Sequence, residues 1–242
     1  MRKNILHIAA STFIAALLFG LSMTSCKKDP NPTPNPTPTP APDPIITIVD
    51  SIPANILPRE IYGEVSSRIN IHSGNTPPDI SGQYLSQPHA LLYESYNQSY
   101  DPDDSTVFYS DRYVAFTFSE ATGMDFYGKQ WDTDNGRWVE EHVSKMKITG
   151  ENDNFCCFYV IEGQPHGFYL KQSTIFSGTL TPEGLKDFKV AVIMVENDGD
   201  EELPEKNSFR ILGDFDGMAE NNNWMGKKAL ETSHGQADSF LK

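Results

Sequence analysis

FCCFYVIEGQPHGFYLKQSTIFSGTL, running from Phe155 to Leu180, holds two apolar runs around a short breaker. Phe155 to Gly163 is dense in aromatic and β-branched residues and reads as a buried strand. Gln164, Pro165, His166 and Gly167 make a turn, since proline removes a donor and glycine admits positive φ. Phe168 to Leu180 then alternates, with Phe168, Leu170 and Phe176 on one side, the period of a second strand. Two strands joined by four residues can pair only antiparallel, because a parallel pair needs a much longer crossover.

The same grammar extends in both directions. Towards the C-terminus, the PEG breaker at Pro182 to Gly184 leads into LKDFKVAVIMVEN, Leu185 to Asn197, the most continuous apolar run. An acidic turn, DGDEELPEKN, separates it from SFRILGDF, Ser208 to Phe215. Towards the N-terminus, RWVEEHVSKMKITG, Arg137 to Gly150, alternates Trp138, Glu140, His142, Ser144, Met146 and Ile148 against Val139, Glu141, Val143, Lys145 and Lys147. The first set is expected to face inward at its ends. MDFYGKQW, DRYVAFTFSE (Val114, Phe116 and Phe118 on one face), HALLYESY and ISGQYLSQ precede it. The last two are separate strands divided near Pro88, or one bent strand. Eight or nine strands on short turns predict a mainly β antiparallel meander, closed as a barrel or folded as a sandwich. No helices alternate with the strands, which excludes a parallel α/β fold.

Ahead of the strands, ANILPREIYGEVSSRINIHSG, Ala54 to Gly74, predicts one short helix with Pro58 in its first turn and Ile61, Tyr62 and Val65 on an apolar stripe that caps the core. The region beyond Met218 is polar and aperiodic and reads as a mobile tail, with Trp224 the residue able to dock.

The first 25 residues have the anatomy of a secretory signal: Arg2 and Lys3, an apolar stretch, then small residues before Cys26. Met23, Thr24, Ser25 and Cys26 resemble a bacterial lipobox, in which cleavage before the cysteine exposes it for acylation. The competing reading is an uncleaved span. Pro30 to Pro44 places proline at every second position, so neither helix nor sheet forms and a polyproline II spacer is expected. The domains expected are therefore 1–25 signal, 26–44 lipidated cysteine and linker, 45–217 barrel and 218–242 tail.

Composition narrows the function. A net charge of -14 across 242 residues argues against nucleic acid or an anionic surface as partner, and 38% hydrophobic content is too high for a disordered chain. His89, His142, His166 and His234 lack metal-ligand spacing, and no cofactor or nucleophile motif appears. Asp101, Asp103 and Asp104 and the acidic turn after Asn197 read as solvated turns because neither has the spacing of a calcium loop, and Asp214 to Gly217 reads as a plain turn because two aspartates supply only part of a coordination shell. Cys156 and Cys157 point to opposite faces of a strand, which disfavours a disulfide between them.

Ile80, Gly82 and Tyr84, placed after a helix and before a run of strands, resemble the lipocalin first-strand motif with tyrosine where tryptophan is usual. With GTLTPEGLKDFKVAVIMVE and FRILGDFDGMA, the region of roughly 55–219 resembles uncharacterised lipoproteins of Bacteroidota with a lipocalin-like, calycin-type barrel. The resemblance implies about eight strands whose mouth or interior holds a small apolar ligand. Tyr84, Phe116, Phe118, Tyr127, Trp131, Trp138, Tyr159 and Phe168 are the aromatics expected to line a cavity or to offer stacking faces to a glycan. The function expected is that of a non-catalytic binding lipoprotein of the outer membrane, held to the bilayer through acylated Cys26. The alternative is an interaction lipoprotein with a solid core and no small ligand.

Overall fold

The computed structural model describes residues 51–96, 107–119, 123–164 and 167–225, all in the second of two compact units, Pro44–Lys242. Cys26 and its lipobox, the proline spacer, Asp101 to Asp104, His166 and residues 226–242 lie outside the described residues. One helix, α1 (Tyr62–Ser66), precedes the strands β1 (Asn75–Thr76), β2 (Gly82–Ser86), β3 (His89–Glu94), β4 (Val107–Phe108), β5 (Arg112–Ser119) and β6 (Gly123–Asp132). There follow β7 (Arg137–Glu151), β8 (Asn154–Gly163), β9 (Leu170–Leu180), β10 (Gly184–Asn197), β11 (Phe209–Asp214) and β12 (Met218–Asn221).

Neighbours in sequence are neighbours in space, as short turns require. The order β12-β2-β5-β6-β7-β8-β9-β10 returns on itself because β12 also pairs with β10, and the result is a closed eight-stranded antiparallel barrel of lipocalin-like architecture. The chain bends between β2 and β3, around the cis Gln87–Pro88 peptide, and again between β11 and β12. Past these bends β11, β3 and β4 carry the sheet on from β10. Proline 88 therefore marks a bend along one wall of the barrel.

Inside the barrel, one storey is filled with aromatic side chains. Tyr84, Phe116, Phe126, Phe155, Phe176 and Phe188 are all buried in one cluster with Ile80, Met146 and Ile148. Phe176 lies 4.8 Å from Phe126, 5.6 Å from Phe116 and 6.2 Å from Phe188, ring centre to ring centre. The lipocalin-like triplet is part of this floor. Tyr84 folds back over Gly82 and donates to the Ile80 carbonyl at 3.0 Å; a Cβ on Gly82 would stand 2.7 Å from the Tyr84 hydroxyl oxygen. Burial and the nearby Asp79 charge push the Tyr84 phenol up to about 12.

A second core lies outside the barrel wall. Cys156 and Phe158 of β8, Ile175 of β9, Ala191, Ile193 and Val195 of β10, and Phe209 and Ile211 of β11 face away from the interior. The segment carrying Ile52, Ile56, Leu57, Ile61, Val65, Ile69 and Ile71 covers them. This explains the unbroken apolar run of β10: both its faces are buried, so no polar alternation survives. Cys157 faces the inner core and Cys156 the outer one, both as free thiols. Cys156 Sγ accepts the His72 N–H at 3.2 Å, and burial raises its thiol to about 11.

One expectation is reversed along β7. Met146 and Ile148 do face inward, but Trp138, Glu140, His142 and Ser144 face outward, and the inner positions are Val139, Glu141 and Val143. A bulge changes the parity: Phe126 pairs with Val143 while Met124 pairs with Met146, and Lys145 takes φ +62° with its N–H on Asp125 Oδ1.

Candidate functional site

Two surfaces gather polar and aromatic chemistry, one outside the barrel and one within. The outer one is built on β5, β6 and β7. Antiparallel register sets Tyr113 opposite Lys129, Lys129 opposite Glu140, Tyr127 opposite His142 and Trp131 opposite Trp138. Because Val114, Phe126 and Gly128 point inward, alternation sends this whole set outward. Trp131 and Trp138 meet edge to face at 5.5 Å and 73°, and Trp138 meets Tyr113 in the same manner at 5.9 Å. Both indoles stay open to solvent, with 38% and 46% of their surface exposed.

The chain after β12 completes the surface. Asn222 N–H donates to the Gln83 carbonyl at 2.8 Å, and Met225 N–H donates to Gln83 Oε1 at 2.7 Å. Trp224 is thereby laid 5.4 Å from both Tyr113 and Tyr127. Lys129 Nζ sits 4.6 Å from the Trp224 ring, 4.8 Å from Trp138 and 5.2 Å from Tyr113, a cation held against three π faces. Tyr127 stacks on His142 at 4.2 Å, and burial with the neighbouring Glu140 raises its phenol to about 12. All three tryptophans of the sequence thus converge on one exterior patch, and none is spent on the core.

The inner surface is the storey above the aromatic floor. Arg112 Nη2 binds Glu141 Oε2 at 3.1 Å, and the Tyr159 hydroxyl donates to Glu141 Oε1. Gln130 Nε2 donates to the Ser110 carbonyl at 2.6 Å. His89 is wholly buried; its Nδ1 lies 3.0 Å from Ser86 Oγ. Burial, then the Arg112 charge, push the imidazole down to about 3, so it is neutral. Further along the wall Arg210 pairs in register with Glu94. Its charge acts on Tyr96 and Tyr109.

The eight aromatics named from sequence divide among these places. Tyr84, Phe116 and Tyr159 are in the packed inner core; Phe118 is half-buried at the end of the same β5 face. Tyr127, Trp131 and Trp138 belong to the outer patch. Phe168 lies just before β9 and is 43% exposed. Sequence reasoning missed Tyr113, Lys129 and the Arg112–Glu141 pair, although alternation from Val114 and Phe116 places Tyr113 outside and Arg112 inside. Two surface hollows lie elsewhere: one of about 360 Å³ beside Asp187, Asp214 and Asp216, the other of about 440 Å³ between Pro58 and Val195. No protein-family model, no curated protein and no solved structure matches the chain.

Proposed function

We propose that the chain is a non-catalytic binding lipoprotein of a bacterial cell envelope, tethered through acylated Cys26 and its proline spacer, that holds carbohydrate on the Trp131–Trp138 patch. The carrying observation is the exposure of two indoles clamped edge to face on a rigid sheet. Tryptophan is the costliest side chain to leave in water, and contiguous exposed aromatics mark binding surfaces. Sugar rings present a C–H face that stacks on indole, while their hydroxyls need the donors and acceptors that Lys129, Glu140 and His142 supply at the patch.

The small apolar ligand is the weaker version of this reading, because the aromatic floor occupies the interior volume such a ligand needs. A glycan array probed with the purified full chain tests the proposal. Trp131→Ala and Trp138→Ala should each weaken the retained glycan at least tenfold with an unchanged melting temperature. Binding that survives both substitutions, or capture of a protein partner with no glycan retained, would sink it. Cys26→Ser should move the protein from the membrane fraction to the soluble one.

A further inference from the structure

The inner polar storey holds two N-bearing groups whose hydrogen-bonding capacity is unmet by protein: Arg112 Nε and His89 Nε2. They belong to one neighbourhood. Arg112 stands opposite Ser86 in the β2–β5 register, and Ser86 Oγ is the partner of His89 Nδ1. His89 has no exposed surface, so its free ring nitrogen is held among other protein groups and away from bulk solvent. The Arg112 and Glu141 side chains, 18% and 30% exposed, mark where solvent reaches this level of the barrel. Leaving such groups unpaired is unfavourable, because the desolvation of each is not repaid by a hydrogen bond.

We propose that the barrel carries a second, internal site for a small neutral carboxamide, such as an acetamido group, bound between Arg112 Nε and His89 Nε2. Charge selects the class. The Arg112 guanidinium is already matched by Glu141, so an added anion would bring an uncompensated charge beside that carboxylate. Hydrogen-bond complementarity selects it further. Arg112 Nε offers an N–H and calls for a carbonyl oxygen. His89 Nε2 is a donor when Ser86 donates to Nδ1 and an acceptor when Nδ1 donates to Ser86. A carboxamide has both a carbonyl and an N–H, and satisfies the pair in either tautomer. A carboxylate serves only one of them.

This site is independent of the outer aromatic patch. The test uses the full chain labelled with ¹⁵N, titrated with acetamide and, separately, with sodium acetate at matched ionic strength. Acetamide should move the Arg112 Nε–H and His89 ring signals saturably, and acetate should leave them in place. Arg112→Lys keeps the charge beside Glu141 but lacks the Nε–H fork, and should weaken acetamide binding at least tenfold. Glu141→Gln releases the guanidinium charge and should swing the preference at least tenfold towards acetate. Unmoved signals with acetamide overturn the proposal, as does equal response to acetate in the wild type, or an unchanged preference in Glu141→Gln.

Discussion

Phe176 shows how one side chain fixes the character of the interior. It touches Phe116, Phe126, Tyr159 and Phe188, and it has no exposed surface. Truncating a buried phenylalanine removes both its transfer energy and its contacts, so Phe176→Ala should destabilise the barrel by about 3–5 kcal/mol. Equilibrium urea unfolding should show a lower midpoint with an unchanged slope. Which aromatics face inward was partly legible. Alternation around Val114 placed Phe116 correctly, since β5 is regular. It failed for Trp138, because the parity of β7 is reset at Lys145, and a lysine at positive φ carries none of the glycine or proline signal that marks a bulge in sequence.

Among the elements, the seam between the first and last walls of the barrel depends on Asp214. Its carboxylate accepts the Gln87 N–H at 2.8 Å, the Asp216 N–H at 3.2 Å and the Met218 N–H at 3.3 Å, joining the two bends. The Phe215 N–H reaches the Pro88 carbonyl at 2.9 Å across the same junction. Burial, and next the hydrogen bond to Asp216, raise the Asp214 carboxyl from 3.8 to about 6. Its folded state therefore binds a proton more tightly than the unfolded chain does. By linkage, this group's contribution to stability is present below about pH 4 and is lost as pH rises through about 6. Asp216, held low by its hydrogen bond from Asp214, acts in the opposite sense at lower pH. Asp214→Asn removes the charge to be buried and keeps one acceptor oxygen, enough for the Asp216 and Met218 N–H groups but not for Gln87 as well. It should flatten the dependence of melting temperature on pH between 4 and 6; an unchanged slope would assign that dependence to other groups.

The outer cap illustrates a different limit of legibility at the same scale. Val65 and Ile61 announced a short helix over a core, and α1 supplies Val65 to one. The covering segment nevertheless reaches from Ile52 to Ile71, mostly as irregular chain anchored by Ser173 Oγ donating to the Ile56 carbonyl at 2.6 Å and Ser177 Oγ donating to the Asn70 carbonyl at 2.5 Å. Irregular chain has no period, so nothing in its pattern says which wall it covers. The doubly buried character of β10 was the available clue, as an apolar run with no polar face needs cover on both sides. Removing residues 51–73 should therefore expose Phe158, Ile175 and Ile193 and send the protein into aggregates, read by light scattering at constant concentration.

At the scale of the molecule, the meander followed from short turns alone, whereas the choice between barrel and sandwich did not. Closure depends on β10 serving two partners, β12 through Gly184 to Lys186 and β11 through Lys189 to Ile193, with a register break between them. No local pattern encodes that division; it arises when the twisted sheet meets its own first strand. The closed wall then encloses two storeys of opposite character, an aromatic floor and a polar level around Arg112 and Glu141. An apolar probe distinguishes them. Anything that binds only the folded state raises its melting temperature, and benzene enters an apolar cavity of about 150 Å³ but not a filled core. Benzene should leave the melting temperature of the native chain unchanged, because Tyr84, Phe116, Phe126, Phe176 and Phe188 fill the floor. It should raise that of Phe176→Ala, whose missing ring opens a dry void among them. An equal rise in the native chain would mean that the floor is hollow, and would return the small apolar ligand to first place.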